Sequence, residues 1–509
     1  MPESKPFYVI PDDEFDSTLV ANAHPASWVN PEPAPTYNLV VLGAGTAGLI
    51  AAAGAATVGA RVALVERALM GGDCLNYGCV PSKAVIRSSR AAAEIRDAAG
   101  YGIRTSGTVD VDFAKVMERM RRLRAEISGH DSAERFKSLG VDVFLGEARF
   151  LDRRTVEVGG KVLKFAKAVI ATGARPVHPA IPGLAEAGFL TNETVFMLTR
   201  KPDVLAVIGG GPIGCELAQA FSRLGSKVTI IQRDVQFLPR EDREAAEHLG
   251  RVFAKEGIAC KLNAQITKVT VENGKKRIHF TVENKEEAVE ADEILVGAGR
   301  APTVEGLSLE TAGVAYDKRA GVKVNDYLQT TNRRIYAAGD VAFPYKFTHI
   351  AEATARIVVQ NALFLKSKKT KSLIIPWCTY TDPEIAHVGM YEKDAKTKGI
   401  EVRTFLRSFN EIDRAILDGE EDGFIKIHVR KGKDKILGAT IVARHAGEMI
   451  SEITAVMAAG KGVKLLAASV IHPYPTQSDA IKQAAGQYYA GLMKPFLKKI
   501  LQKWFAWRR

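Results

Sequence analysis

One local pattern occurs twice in this chain, and it constrains the fold more than any other feature. Tyr37-Asn38-Leu39-Val40-Val41-Leu42 reads as a buried strand that runs into Gly43-Ala44-Gly45-Thr46-Ala47-Gly48 and an Ala-rich helix from Leu49 to Val58. A second strand, Arg61-Val62-Ala63-Leu64-Val65, then ends on Glu66. Likewise Val204-Leu205-Ala206-Val207-Ile208 leads into Gly209-Gly210-Gly211-Pro212-Ile213-Gly214, a helix through Arg223 and the strand Lys227-Val228-Thr229-Ile230-Ile231. In each copy the first glycine (Gly43, Gly209) permits a tight turn and the second (Gly45, Gly211) lets backbone approach a pyrophosphate. The third (Gly48, Gly214) lets the helix pack on the strand, so that the helix N-terminus faces the phosphates. Two dinucleotide-binding units of Rossmann type follow, in an α/β chain.

The two units end their second strands differently. Glu66 is expected to hold an adenosine ribose, whereas the second unit offers Gln232-Arg233. A carboxylate would repel a 2′-phosphate, and a guanidinium can pair with it bidentately. The second site is therefore expected to prefer NADP, with NAD still open, because Arg233 also reads as a solvated surface residue.

Just beyond the first unit lies Gly71-Gly72-Asp73-Cys74-Leu75-Asn76-Tyr77-Gly78-Cys79-Val80-Pro81-Ser82-Lys83. Cys79 precedes a helical-looking segment, so its sulfur is expected at a helix N-terminus, where the dipole and Lys83 favour the thiolate. Four intervening residues can turn so that the two sulfurs meet, which reads as a redox pair. Two unpaired buried thiols, or half of a zinc site, are the competing readings. Zinc needs further ligands, and no second close cysteine pair exists among the five cysteines. No structural metal is expected, and Cys74 and Cys79 are candidates only for transient binding of a substrate metal.

Two adenine dinucleotides with a dithiol between them imply an electron relay from nicotinamide to flavin to disulfide to substrate. On these residues the chain resembles the FAD-dependent pyridine nucleotide-disulfide oxidoreductases, the family of dihydrolipoamide dehydrogenase, glutathione reductase and mercuric reductase. Further matches are Ala171-Thr172-Gly173-Ala174-Arg175-Pro176, Gly297-Ala298-Gly299-Arg300-Ala301-Pro302, and Thr331-Asn332-Arg333-Arg334-Ile335-Tyr336-Ala337-Ala338-Gly339-Asp340. The resemblance implies that Gly173 and Asp340 serve FAD, Asp340 through the ribityl chain, and that Gly299 serves NAD(P). It also implies that Lys83 lies at the flavin N5 and pairs with Glu216. A further match, Pro383-Glu384-Ile385-Ala386-His387-Val388-Gly389, resembles the start of the dimerisation domain and implies a homodimer.

The same resemblance pairs a catalytic His with an acid five residues later, near the C-terminus, serving the neighbouring subunit's cysteines. Here the stretch is Ile471-His472-Pro473-Tyr474-Pro475-Thr476-Gln477-Ser478-Asp479, and five residues before Asp479 stands Tyr474. A phenol with pKa near ~10 is a poor proton shuttle at neutral pH, while imidazole near ~6.5 is a good one. Mercuric reductase, by resemblance, carries a Tyr here and uses it at the metal site, so the chain is read as mercuric-reductase-like. That enzyme also carries a C-terminal cysteine pair, absent from Lys503-Trp504-Phe505-Ala506-Trp507-Arg508-Arg509, and often a small N-terminal metal-binding domain, absent here as well. A small disulfide as substrate, in the manner of dihydrolipoamide dehydrogenase, stays open. His472, or His130 beside Asp131, would then supply the proton relay.

The expected organisation is an extended N-terminal arm over 1–36, an FAD-binding domain over 37–185 that resumes over 304–370, and an NAD(P)-binding domain over 186–303. A dimerisation domain over 371–490 and a basic amphipathic tail over 491–509 follow. Residues 112–139 read as a long helix interrupted near Gly129. The cysteine usage fits a reducing compartment, and with no apolar signal core or membrane span a soluble cytoplasmic enzyme is expected. Net charge is +12, and the last sixteen residues contribute six basic groups and no acid. From Phe496, apolar residues gather on one helical face, suited to an anionic membrane surface or to packing on the dimer. A membrane-surface electron carrier docking through this tail is thus a further reading. Charge clustered at one terminus argues against a nucleic-acid partner.

Overall fold

A computed structural model describes residues 9, 11–104, 107, 110–490 and 495–509. It is an α/β chain that divides into two compact units, 1–237 with 253–372, and 238–252 with 373–509.

The first unit holds both expected sheets. Val141–Leu145, Val62–Glu66, Tyr37–Leu42 and Lys161–Ile170 lie side by side in parallel, and Ile335–Ala337 adds to Lys161–Ile170. The register sets Leu42 opposite both Val65 and Ile170, so the glycine turn that follows Leu42 emerges at the carboxyl edge of the sheet. Ligands bind at that edge in open α/β sheets. Strands Tyr37–Leu42 and Val62–Glu66 are almost wholly buried, which is why they read as continuous apolar runs rather than alternating ones. The second sheet repeats the plan, with Ala259–Lys261, Lys227–Ile231, Val204–Ile208 and Glu293–Val296 all parallel. A three-stranded antiparallel sheet, Ala264–Glu272, Lys275–Val282 and Lys285–Ala291, caps it through a shared core that includes Ile278, Phe280 and Ile294.

The second unit is built on a five-stranded antiparallel sheet ordered Pro376–Thr379, Glu384–Gly389, Ile436–Ala443, Phe424–Arg430 and Val402–Ser408. Helices Ala446–Ala458 and Asp479–Ala490 bury Ile450, Ile453, Ile481 and Ala484 into one core with this sheet. The segment 238–252 is tied in by Glu241, whose carboxylate accepts from the Trp377 indole at 2.6 Å and from the Tyr391 hydroxyl.

The expectation of an extended arm over 1–36 needs correction where the structure describes it. Glu14–Ala23 is a helix, started by the Asp13 side chain, which accepts from the amides of Phe15 and Asp16. Leu19 and Ala23 are buried, and Asp16 forms an ion pair at 2.7 Å with Arg124, itself only 2% exposed. Proline-rich flanks hide this short helix in the sequence. Residues 1–8 and 10 of the expected arm, and 491–494 of the expected tail, lie outside the described residues. The stretch 112–139 is Phe113–Ser128, a 3-10 turn Gly129–Asp131 and Ala133–Ser138, with the break where Gly129 stands. Among the described residues no helix is long and apolar enough to cross a membrane.

Candidate functional site

The glycines of the first turn are there for steric reasons. A Cβ on Gly48 would fall 1.7 Å from the Gly43 carbonyl oxygen, and one on Gly43 would fall 2.5 Å from the Ala171 carbonyl oxygen. At Gly45, by contrast, a Cβ would meet only the Gly72 Cα at 3.6 Å. Gly45 caps the helix Thr46–Thr57 without any side-chain hydrogen bond, so the first amides of that helix open onto a cradle that a side chain would fill. The second turn repeats this. Gly214 would clash with the Gly209 carbonyl oxygen at 2.0 Å, while Gly211 meets nothing nearer than 4.0 Å and caps Pro212–Arg223 without a side-chain bond. Both cradles fit an anionic pyrophosphate at a helix N-terminus.

The residues ending the second strands also correspond. The Glu66 carboxylate accepts from the Ala44 amide at 2.6 Å and from the Ala68 amide at 2.7 Å. Burial pushes this carboxyl up, against the lowering effect of the two amides. In the second unit the Gln232 side-chain oxygen accepts from the Gly210 amide at 2.7 Å. Both bonds span 22 residues, so Gln232 occupies the place of Glu66 with a neutral group, and Arg233 beside it is exposed.

The short helix Gly72–Asn76 carries Cys74 next to the first cradle, where Gly45 and Gly71 form a β-bridge. Gly72 has φ 58°, and a Cβ there would fall 2.5 Å from the Gly45 Cα, so only glycine lets the cysteine segment lie against the turn. Cys79 opens the helix Cys79–Asp97 and is exposed, while Cys74 is half-buried; both are free thiols. The Cys79 sulfur lies 3.5 Å from the Thr348 hydroxyl, and Thr348 opens the helix Thr348–Leu363. Two helix N-termini therefore converge on one sulfur, each favouring negative charge.

The thiols separate in acidity. The hydrogen bond from the Cys74 thiol, then the Lys83 ammonium and the Thr348 hydroxyl, lower Cys79 to about 6 against the desolvation that the surrounding protein atoms impose. The same hydrogen bond and burial push Cys74 well up. The reduced pair is accordingly one thiolate, Cys79, and one thiol, Cys74. Lys83 Nζ donates to Glu216 Oε2 at 2.7 Å, and Glu216 is 6% exposed, so a nearly buried carboxylate on the helix Pro212–Arg223 fixes the ammonium near Cys79.

Asp340 lies in the turn Gly339–Val341, and burial pushes its carboxyl up against the lowering effect of Arg300. Arg300 donates to the Ala174 carbonyl at 2.6 Å and pairs with Asp73 at 3.1 Å, while its Nε stands 3.9 Å from Asp340 and is buried with no hydrogen bond. A buried, unsatisfied guanidinium nitrogen between two carboxylates beside the first cradle fits a polar cofactor group. FAD would be held here by Gly43, Gly45, Gly48, Glu66, Gly173, Lys83 and Asp340, and NAD(P) by Gly209, Gly211, Gly214, Gln232, Arg233 and Gly299.

Tyr474, His472 and Asp479 belong to the second unit. The Tyr474 hydroxyl is exposed and donates to Asp413 at 2.9 Å, and this contact raises the phenol pKa further. Asp479 opens the helix Asp479–Ala490 and accepts from Gln483. The His472 side chain is 4% exposed, and its Nε2 lies 3.1 Å from both oxygens of Glu452. His130 is exposed on its 3-10 turn, and Asp131 beside it has its carboxyl raised by burial. Among the described residues no group of three or more His, Cys, Asp or Glu is placed to hold a metal ion.

Three contributors escape local sequence reading: Thr348, Arg300 and Glu452. The first two come from segments far along the chain, although Arg300 sits inside a motif quoted for its glycines.

This fold and this paired-cysteine site define a class. The chain belongs to the pyridine nucleotide-disulphide oxidoreductases, whose family model matches residues 37–355 and whose dimerisation domain matches 375–485. It is an FAD- and NAD(P)-dependent oxidoreductase of the class I type, and the matched dimerisation domain fits a homodimer. A mercuric reductase of Staphylococcus aureus is 37% identical over 450 residues, covering 88% of this chain and 82% of the relative. A dihydrolipoyl dehydrogenase of Mycoplasma pneumoniae is 34% identical over 451 residues, covering 87% and 97%. Among solved structures, the Cu(II) complex of the HOCl-induced flavoprotein disulfide reductase RclA from Escherichia coli superposes with a TM-score of 0.79 at 28% identity, covering 91% of this chain and 100% of that one.

Proposed function

We propose that this protein takes electrons from NADPH and delivers them through Cys74 and Cys79 to a thiophilic metal ion, as the mercuric reductases it resembles do. The observation that carries the reading is Tyr474, a phenol at the position where the disulfide-reducing relatives place an imidazole. Its hydroxyl is exposed and tethered to Asp413. Relatives named mercuric reductase, and a structural neighbour solved with Cu(II), support a metal ion as acceptor.

Bound NADPH and FAD would supply the two electrons that open the Cys74–Cys79 disulfide. The residues do the rest. Cys79, held as a thiolate by the Cys74 thiol, Lys83 and Thr348, is a soft anionic ligand for a soft cation. Cys74 completes the pair once its proton leaves, which the cation itself promotes because a coordinating thiol is deprotonated. The partner subunit's Tyr474 adds a polar oxygen beside the sulfurs and positions the ion. Overall, one NADPH and one divalent ion give NADP⁺, a proton and the reduced metal. Gln232 removes the negative charge that would oppose a 2′-phosphate, and Arg233 pairs with it.

A second reading, reduction of a small disulfide or oxidation of the corresponding dithiol, rests on the imidazole–carboxylate pair of His472 and Glu452. An anaerobic titration of NADPH-reduced protein with mercuric ion, lipoamide, glutathione disulfide and quinones tests both readings. Stoichiometric NADPH oxidation by mercuric ion alone supports the first. Fast turnover of a disulfide with no response to the metal overturns it in favour of the second.

A further inference from the structure

The helix Pro495–Trp507 lies outside the residues matched by the dimerisation domain, which end at 485. None of its residues is buried; Phe496 is 71% exposed and Trp507 76%. At about 100° per residue, Phe496, Trp507, Ile500, Trp504, Leu497 and Leu501 occupy an arc of roughly 140° along ~20 Å of helix. Lys498, Lys499 and Gln502 fall on the remaining arc, Lys503 flanks the apolar face beside Phe496, Phe505 borders its other edge, and Arg508 and Arg509 follow. An apolar, Trp-bearing face of this length, bare in the subunit, demands a covering surface.

We infer that this helix lies flat on an anionic lipid bilayer and holds the enzyme at a membrane surface. Charge and shape select this occupant. Residues 494–509 carry six basic groups and no acid, so they complement a negative surface and repel another copy of themselves. The two tryptophans, with ring centroids 5.4 Å apart, suit the headgroup boundary, and the lysine stems reach sideways to phosphates while the apolar face sinks in. Among the described residues no helix is long and apolar enough to cross a membrane, and because basic groups supply part of the attraction the association is salt-sensitive. The docked enzyme would meet acceptors at the membrane surface.

Co-sedimentation of the full-length holoenzyme with vesicles tests this, using phosphatidylcholine alone or mixed with phosphatidylglycerol. The parent should bind the mixed vesicles and be released by salt, and brominated lipid should quench its tryptophan emission. Replacing Lys498, Lys499 and Lys503 together by Gln should weaken binding by about a hundredfold, at roughly fivefold for each charge. Ile500→Glu should abolish quenching while NADPH oxidation in solution stays at the parent level. Equal binding to neutral vesicles, no binding to either kind, or conversion of dimer to monomer by Ile500→Glu in analytical ultracentrifugation would each overturn the inference. The last outcome would assign the helix to the subunit interface.

Discussion

The acidity of Cys79 can be perturbed at named groups and read without any substrate. With its pKa at about 6, the thiol is about nine-tenths ionised at pH 7, whereas an ordinary cysteine near ~8.5 is ionised to only a few per cent. Thr348→Val removes a neutral O–H donor 3.5 Å from the sulfur. At about 1 kcal/mol for such a bond, the thiol should rise by roughly 0.7 unit. Lys83→Met alone would remove the ammonium that faces the nearly buried Glu216 carboxylate and leave that negative charge acting on Cys79, so the informative variant pairs Lys83→Met with Glu216→Gln. Lys83 outweighs Glu216 among the influences on this sulfur, so the thiol should rise again, by on the order of one unit. The assay is the pH dependence of iodoacetamide alkylation of the reduced protein, with the modified cysteine located by fragmenting the peptide. A parent midpoint near 6 on Cys79, displaced upward in both variants, is expected. A parent midpoint above 8, or one that neither variant moves, would show that Lys83 and Thr348 do not set the acidity of Cys79. The linkage sign follows. A lowered folded-state pKa gives stabilisation that is complete above the ordinary thiol range and is lost as pH falls through about 6. Reduced protein should therefore gain less from this site at pH 5 than at pH 9.

Other outcomes are equally specific. Arg233→Glu should shift kcat/KM from NADPH towards NADH by about 1–3 kcal/mol, the range of a charged hydrogen bond; a parent indifferent to the two coenzymes would defeat the assignment. Gly48→Ala should yield protein that no longer retains FAD, because the new Cβ would sit 1.7 Å from the Gly43 carbonyl oxygen; a yellow, fully loaded variant would show that the turn can shift. Asp16→Ala should cost about 3–5 kcal/mol by leaving buried Arg124 unpaired. That loss should appear in urea unfolding together with faster proteolysis near residue 23, and an unchanged transition would mean that the N-terminal helix contributes little.

What was legible in the sequence was what local sterics dictate. The twin glycine turns could be read because each glycine answers to a neighbour within the same few residues, as the Gly43–Gly48 approach shows. The correspondence of Glu66 and Gln232 could be read from spacing alone. Thr348 could not, since it reaches Cys79 across 269 residues and its role depends on where a second helix begins. Glu452 was hidden likewise, because nothing near it in sequence announces a histidine partner. The Glu14–Ala23 helix was masked by composition: proline-rich flanks suggest an unfolded arm, and only Arg124 on a distant helix explains Asp16. The attachment of 238–252 to the C-terminal unit was similarly invisible, resting on Glu241 with Trp377 and Tyr391.

On the proposed function, Tyr474 directs the Cys74–Cys79 electrons to a metal ion rather than to a disulfide. This role is tested most directly by the ratio of kcat/KM for mercuric ion to that for dihydrolipoamide, measured in the parent and in Tyr474→His. The ratio should strongly favour the metal in the parent and should fall in the variant as an imidazole oriented by Asp479 restores proton transfer. Robust dihydrolipoamide oxidation by the parent, unaltered by Tyr474→Phe, would rule out this role for Tyr474 and move the proton relay to His472 with Glu452.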